Sequence, residues 1–90
     1  MATLLVKHRV ANFEQWKQVF DSLDPVRKEH GFLGSTVHRD AADPNIVVIV
    51  NRVGSLEGAK KYGGSQGLRD AMARAGVQGV PEISFLTDVA

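Results

Sequence analysis

Cysteine is absent from this chain of 90 residues, which excludes disulfides, thiolate catalysis and every metal site built on cysteine. A reducing cytosol is compatible with that, and a cytoplasmic location is the expectation. Neither sign of charge dominates. Eleven Lys and Arg stand against ten Asp and Glu, a formal net charge of +1, so there is no electrostatic case for nucleic acid or anionic lipid. No segment approaches the ~20 apolar residues of a membrane span. The apolar start, Met1 to Leu5, is short for a signal peptide and meets charge at Lys7. Proline occurs three times, and each one marks a boundary: Pro25 in a first helical turn, Pro44 in a tight turn, Pro81 at the opening of a strand. No repeat, low-complexity tract or linker divides residues 1–90, which read as one domain. A domain of this size buries roughly 60–65% of its unfolded surface, so its core is modest.

What is present is periodicity. Thr3 to Val10 alternates as a strand, with Leu4, Val6, His8 and Val10 on one face and Leu5, Lys7 and Arg9 on the other. Asn12 suits a helix N-cap, with Gln15 as its capping-box partner. Phe13, Trp16, Phe20 and Leu23 then recur at steps of three and four, one stripe of an amphipathic helix. Asp24 and Pro25 suit the start of a short second helix that runs to His30, with Gly31 as its left-handed stop. Phe32 to Asp40 reads as a strand. Ser55 caps a helix through Tyr62, which Gly63-Gly64 breaks. Ser65 caps another, with Leu68, Met72 and Ala75 on one face, and Gly76 closes it. In the last strand, opened by Pro81, Ile83 and Phe85 share a face. The order is β-α-β-β-α-β, a ferredoxin-like α+β arrangement.

The third strand, Ile46-Val47-Val48-Ile49-Val50, is entered through the turn Asp43-Pro44-Asn45 and holds no polar residue. Side chains alternate across a strand, so this run is apolar on both faces. The chain's own helices can cover one face. The other asks for a second subunit, and a homodimer is expected.

The segments "VKHRVANFEQWKQVFD", "GFLGSTVHRDAADPN", "SQGLRDAMARAGVQGVPEI" and "FLTDV" resemble the dimeric α/β-barrel superfamily, in particular its small antibiotic-biosynthesis-monooxygenase-like and cyclase-like proteins. The resemblance covers nearly the whole chain. It implies a four-stranded antiparallel sheet with helices on one face, two such sheets facing each other in a dimeric barrel. It implies chemistry ranging over cofactor-independent oxidation of aromatic polyketides, isomerisation, decarboxylation and haem handling.

The candidate chemistry has bland counterparts. Gly63-Gly64-Ser65-Gln66-Gly67 matches the letters of a nucleophile elbow, but a helix precedes Ser65 where that motif needs a strand, so an N-cap explains the serine. The same glycines lack the spacing of a dinucleotide loop. His30 falls at a helix end. His38 falls late in the second strand, at an exposed or dimer-rim position. His8 stands in the apolar set of the first strand, either as a hydrogen-bonded core residue or as a general base at a cavity wall. No two histidines have metal-ligand spacing, so neither a metal nor a cofactor is expected, and haem could be held only through a single histidine. Trp16 and Tyr62 carry polar tips on different helices and could border a pocket for a planar substrate, while Phe13 and Phe20 read as core. Of Asn51 and Arg52, one must point to the helix side and need a partner there, or serve a substrate oxyanion. The ferredoxin-like order also builds RNA-binding sheets, but the first and third strands carry no aromatic residue on which bases could stack.

The expected function is that of a small cofactor-independent monooxygenase-like or cyclase-like enzyme acting on a hydrophobic aromatic or polyketide-like molecule. His8 is its base, and Trp16, Asn51 and Tyr62 orient the substrate. The alternatives are a non-catalytic dimer of the same fold that binds a small ligand, and an interaction or regulatory module.

Overall fold

A computed structural model describes residues 1–89 of the chain. Its elements are β1 (Ala2–Val10), α1 (Phe13–Ser22), α2 (Asp24–Glu29), β2 (Phe32–Arg39), β3 (Ile46–Val53), α3 (Leu56–Gly63), α4 (Gln66–Arg74) and β4 (Val77–Thr87). The four strands form one antiparallel sheet in the order β2-β3-β1-β4. This is the ferredoxin-like layout, with each helical crossover broken into two helices.

Local chemistry sets the breaks. The Asn12 side chain accepts from the Gln15 backbone N–H at 3.0 Å and starts α1. The return half of the expected capping box is not made. The Gln15 side chain instead donates to the Arg74 carbonyl at 2.7 Å, tying α1 to the end of α4. Asp24 is not a cap either. It is the first residue of α2 behind Leu23, and its carboxylate pairs with Lys28 at 3.0 Å. Gly31, at φ 84°, stops the second helix in the left-handed region that glycine enters freely. Ser65 caps α4 by accepting from the Leu68 N–H at 3.2 Å. In the β2–β3 turn, Asp43 accepts from the Asn45 N–H at 3.0 Å. A β-carbon on Gly58 would collide with the His30 carbonyl oxygen, so only glycine lets α3 approach the end of α2 this closely.

The last strand differs from expectation. It begins at Val77 rather than Pro81, and Pro81 lies inside it. A bulge resolves the conflict. Lys7 pairs with Glu82 and Arg9 with Gln78, so residues 79–81 stand opposite His8 alone. Gly79 takes a positive φ of 72°, and the edge position of β4 spares Pro81 the ladder bond it cannot donate.

Leu4, His8 and Val10 of β1 and Val47, Ile49, Asn51 and Val53 of β3 are buried on the helix side. They meet α3 through Ala59 and Tyr62, and α1 and α4 through Trp16 and Ala75. The register places Leu5, Val48, Val50 and Leu86 on the opposite face, which no helix covers.

Candidate active site

Between the sheet and the helices lies a cavity of about 80 Å³. Leu4, Val6, His8, Ile49 and Asn51 form its sheet wall. Trp16, Phe20 and Arg27 close it from α1 and α2, Tyr62 from α3, and Leu68 and Met72 from α4. Ile83 on the edge strand also lines it and is 42% exposed, which marks the side where the cavity meets solvent. All four residues expected at the site from sequence, His8, Trp16, Asn51 and Tyr62, line this one space.

His8 is buried, and among the described residues neither ring nitrogen has a hydrogen-bond partner. Its ring meets Trp16 edge-on at 5.7 Å between centroids. Burial without a countercharge pushes its pKa below the ordinary 6.5, so the ring is neutral at physiological pH. A neutral imidazole has one donor and one acceptor nitrogen. Here both are buried without a partner among the described residues. Stability alone gives no reason for that, because each orphaned polar group costs on the order of 1–3 kcal/mol.

Asn51 is anchored on both sides. Its Oδ1 accepts from the Ser35 hydroxyl at 2.6 Å, and its Nδ2 donates to the Leu4 carbonyl at 3.1 Å. These are its neighbours across the two ladders it joins. Each amide atom keeps one further hydrogen-bonding position. Arg52 points to the other face and is exposed. Tyr62 is buried against Phe32, 5.1 Å between centroids, and beside His30 at 5.4 Å. Burial raises its pKa, the Arg27 guanidinium pulling weakly the other way, so the phenol remains a hydroxyl donor.

Two residues depart from the expectation. Phe20 lines the cavity rather than only filling the core, stacked on Trp16 at 5.0 Å. Phe13 packs on the same indole at 5.8 Å and is core, as expected. Arg27 was not foreseen. It is 4% exposed, and its Cζ lies 3.8 Å from the Phe20 ring centroid. The signal was present: residues 13, 16, 20, 23 and 27 continue one stripe at steps of three and four. Pro25 divides the reading into two helices, which leaves Arg27 in the second and off the stripe of the first.

The other histidines take the bland readings. His30 caps α2, with Nδ1 2.9 Å from the Val26 carbonyl. His38 is exposed on the face that no helix covers, its Nε2 2.9 Å from the Thr36 hydroxyl. Among the described residues, no three His, Asp or Glu side chains converge on a point where a metal could sit. No helix among them is long and apolar enough to cross a membrane.

No family model matches the sequence, and no curated protein matches it. Solved structures do. A Caulobacter crescentus protein provisionally named an antibiotic biosynthesis monooxygenase superposes with a TM-score of 0.77 at 21% identity, over 99% of this chain and 90% of its own. One from Bordetella bronchiseptica, named in the same way, gives 0.80 at 12% identity over 99% and 97%. SnoaB, a cofactor-independent oxygenase from Streptomyces nogalater, gives 0.78 at 14% identity over 99% and 93%. This chain has the fold of the antibiotic biosynthesis monooxygenase-like proteins.

Proposed function

We propose that the protein is a cofactor-independent enzyme, monooxygenase-like or cyclase-like, that deprotonates a small hydrophobic aromatic molecule in this cavity. The observation that carries the reading is His8. It is a neutral imidazole buried in the wall of an apolar space, with neither ring nitrogen bonded among the described residues. A phenol or enol placed there gives its proton to a ring nitrogen, and desolvation keeps that nitrogen free until substrate arrives. The resulting phenolate or enolate, electron-rich at carbon, reacts with oxygen or cyclises. Trp16, already stacked on Phe13 and Phe20, meets the substrate ring as part of the apolar wall. The spare positions of Asn51 and the Tyr62 hydroxyl orient its oxygens.

The volume restricts the substrate. An apolar cavity of ~150 Å³ holds benzene. About 80 Å³ is roughly half of that, so a single ring enters beside Ile83 only where the walls give way, and the rest of the molecule projects past Ile83. The functional unit is a homodimer in the cytosol, in which a second copy covers Leu5, Val48, Val50 and Leu86.

The test is turnover of single-ring hydroquinones and enols, followed by oxygen consumption and product chromatography. His8→Gln is expected to keep the fold and the melting temperature within a few degrees and to lose most of the turnover. A non-catalytic ligand-binding dimer predicts no turnover in the wild type and unchanged ligand binding in His8→Gln.

A further inference from the structure

Arg27 is a buried cation without an adequate partner. Its Nη1 donates to the Phe20 carbonyl at 2.9 Å, and its other nitrogens are not completely enclosed, which leaves them able to meet a further acceptor. Among the described residues, the one carboxylate within 4.0 Å of it is Asp24, whose Oδ1 is 3.7 Å from Nη2, beyond hydrogen-bonding distance. That carboxylate is 53% exposed and is engaged more closely by Lys28 at 3.0 Å. Burying a guanidinium is costly unless a countercharge and hydrogen bonds meet it. Phe20 supplies a π face at 3.8 Å, a partial compensation only.

The position of Arg27 gives the missing partner a place. His8 meets Trp16, Trp16 stacks on Phe20, and Phe20 carries the guanidinium. Trp16 and Phe20 are one helical turn apart, so imidazole and guanidinium stand at opposite ends of an aromatic row along the same cavity. Tyr62 and Arg27 line the same cavity, and the nearby guanidinium works against the burial that raises the phenol pKa.

We propose that the ligand of this cavity is a single-ring aromatic with two poles: an acidic hydroxyl turned toward His8 and a carboxylate, or an equivalent anionic group, bound by Arg27 and the Tyr62 hydroxyl. This rests on the reading of the cavity as a ligand site and adds the charge and polarity of the ligand. A guanidinium donates to a carboxylate in a two-pronged geometry, and a neutral phenol adds a third donor without adding charge. The apolar row between the poles fixes which end of the ligand enters first.

The probes are 4-hydroxyphenylacetate and its neutral counterpart 2-(4-hydroxyphenyl)ethanol, titrated at pH 7.5 and followed by the indole NMR signal of Trp16, the single tryptophan of the chain. The carboxylate is expected to bind about tenfold or more tightly than the alcohol in the wild type. Arg27→Gln and Tyr62→Phe should each shrink that ratio, Arg27→Gln to near one, with little change in alcohol binding. Arg27→Lys should keep part of the preference. Equal binding of the two probes by the wild type, or a preference that survives Arg27→Gln, overturns the two-pole assignment and leaves the ligand cavity standing. If neither probe shifts the indole signal, the ligand cavity itself is refuted and this assignment with it. Should Arg27→Gln fail to fold, the wild-type ratio and Tyr62→Phe decide the matter.

Discussion

His8 carries a cost that can be measured without knowing the substrate. Its folded-state pKa is depressed below the ordinary 6.5 by burial. Above that pH the ring is neutral in both folded and unfolded chains, and its titration contributes nothing to stability. As the pH falls through about 6.5, the unfolded chain takes up a proton that the folded one refuses, and stability declines until the folded pKa is reached. The wild type should therefore lose more stability than His8→Gln between about pH 7 and pH 5.5 in urea titrations. Its imidazole signal should titrate below the unfolded value. Parallel stability curves for the two proteins across that window would show that the ring is solvated in solution. Tyr62 behaves in the opposite sense: burial keeps its proton on, so it remains a donor across the same range.

At the scale of the element, Ser65 shows how a serine in a suggestive motif is spent on architecture. Its Oγ accepts from the Leu68 N–H at 3.2 Å and donates to the Tyr62 carbonyl at 2.8 Å, joining the end of α3 to the start of α4. Ser65→Ala should cost about 1 kcal/mol in denaturant unfolding. Ser65→Asp keeps the cap but cannot donate to the Tyr62 carbonyl, so it should fall between the two. A serine-directed phosphonate should leave the residue unlabelled. The joint matters to the site, because Tyr62 stands in the last turn of α3 and Leu68 and Met72 on α4 wall the same cavity. The bulge of β4 works in a similar way. Three residues opposite His8 interrupt the ladder beside the residue whose side chain lines the cavity.

At the scale of the whole molecule, β3 separates two kinds of failure. Val47 is fully buried under the helices, whereas Val48 lies on the face that no helix covers. Val47→Lys places an unpaired charge in the core and should abolish cooperative unfolding. Val48→Lys should leave a native circular-dichroism spectrum and convert the proposed dimer to monomer by light scattering at micromolar concentration. A wild-type monomer under those conditions would refute the second subunit, and Leu5, Val50 and Leu86 would then be a plain solvent-facing patch.

The sequence by itself determined the order of elements. Strand alternation, the stripe of α1 and the capping serines are local signals, and local backbone chemistry answers them. It also determined which side chains face the helices, because a period of two leaves no choice once one face is apolar. His8 and Asn51 were legible for that reason. Only the tertiary structure decided that these residues share one cavity with Trp16 and Tyr62, since those side chains arrive from four separate elements. It alone revealed Arg27 in the wall, because a charged residue reads as solvated until the packing around it is known. It alone placed Pro81 inside a strand, because a bulge depends on what the neighbouring strand offers opposite it. Fold follows from short-range regularities repeated along the chain. The site follows from where distant segments happen to meet, and no spacing in the sequence encodes that distance.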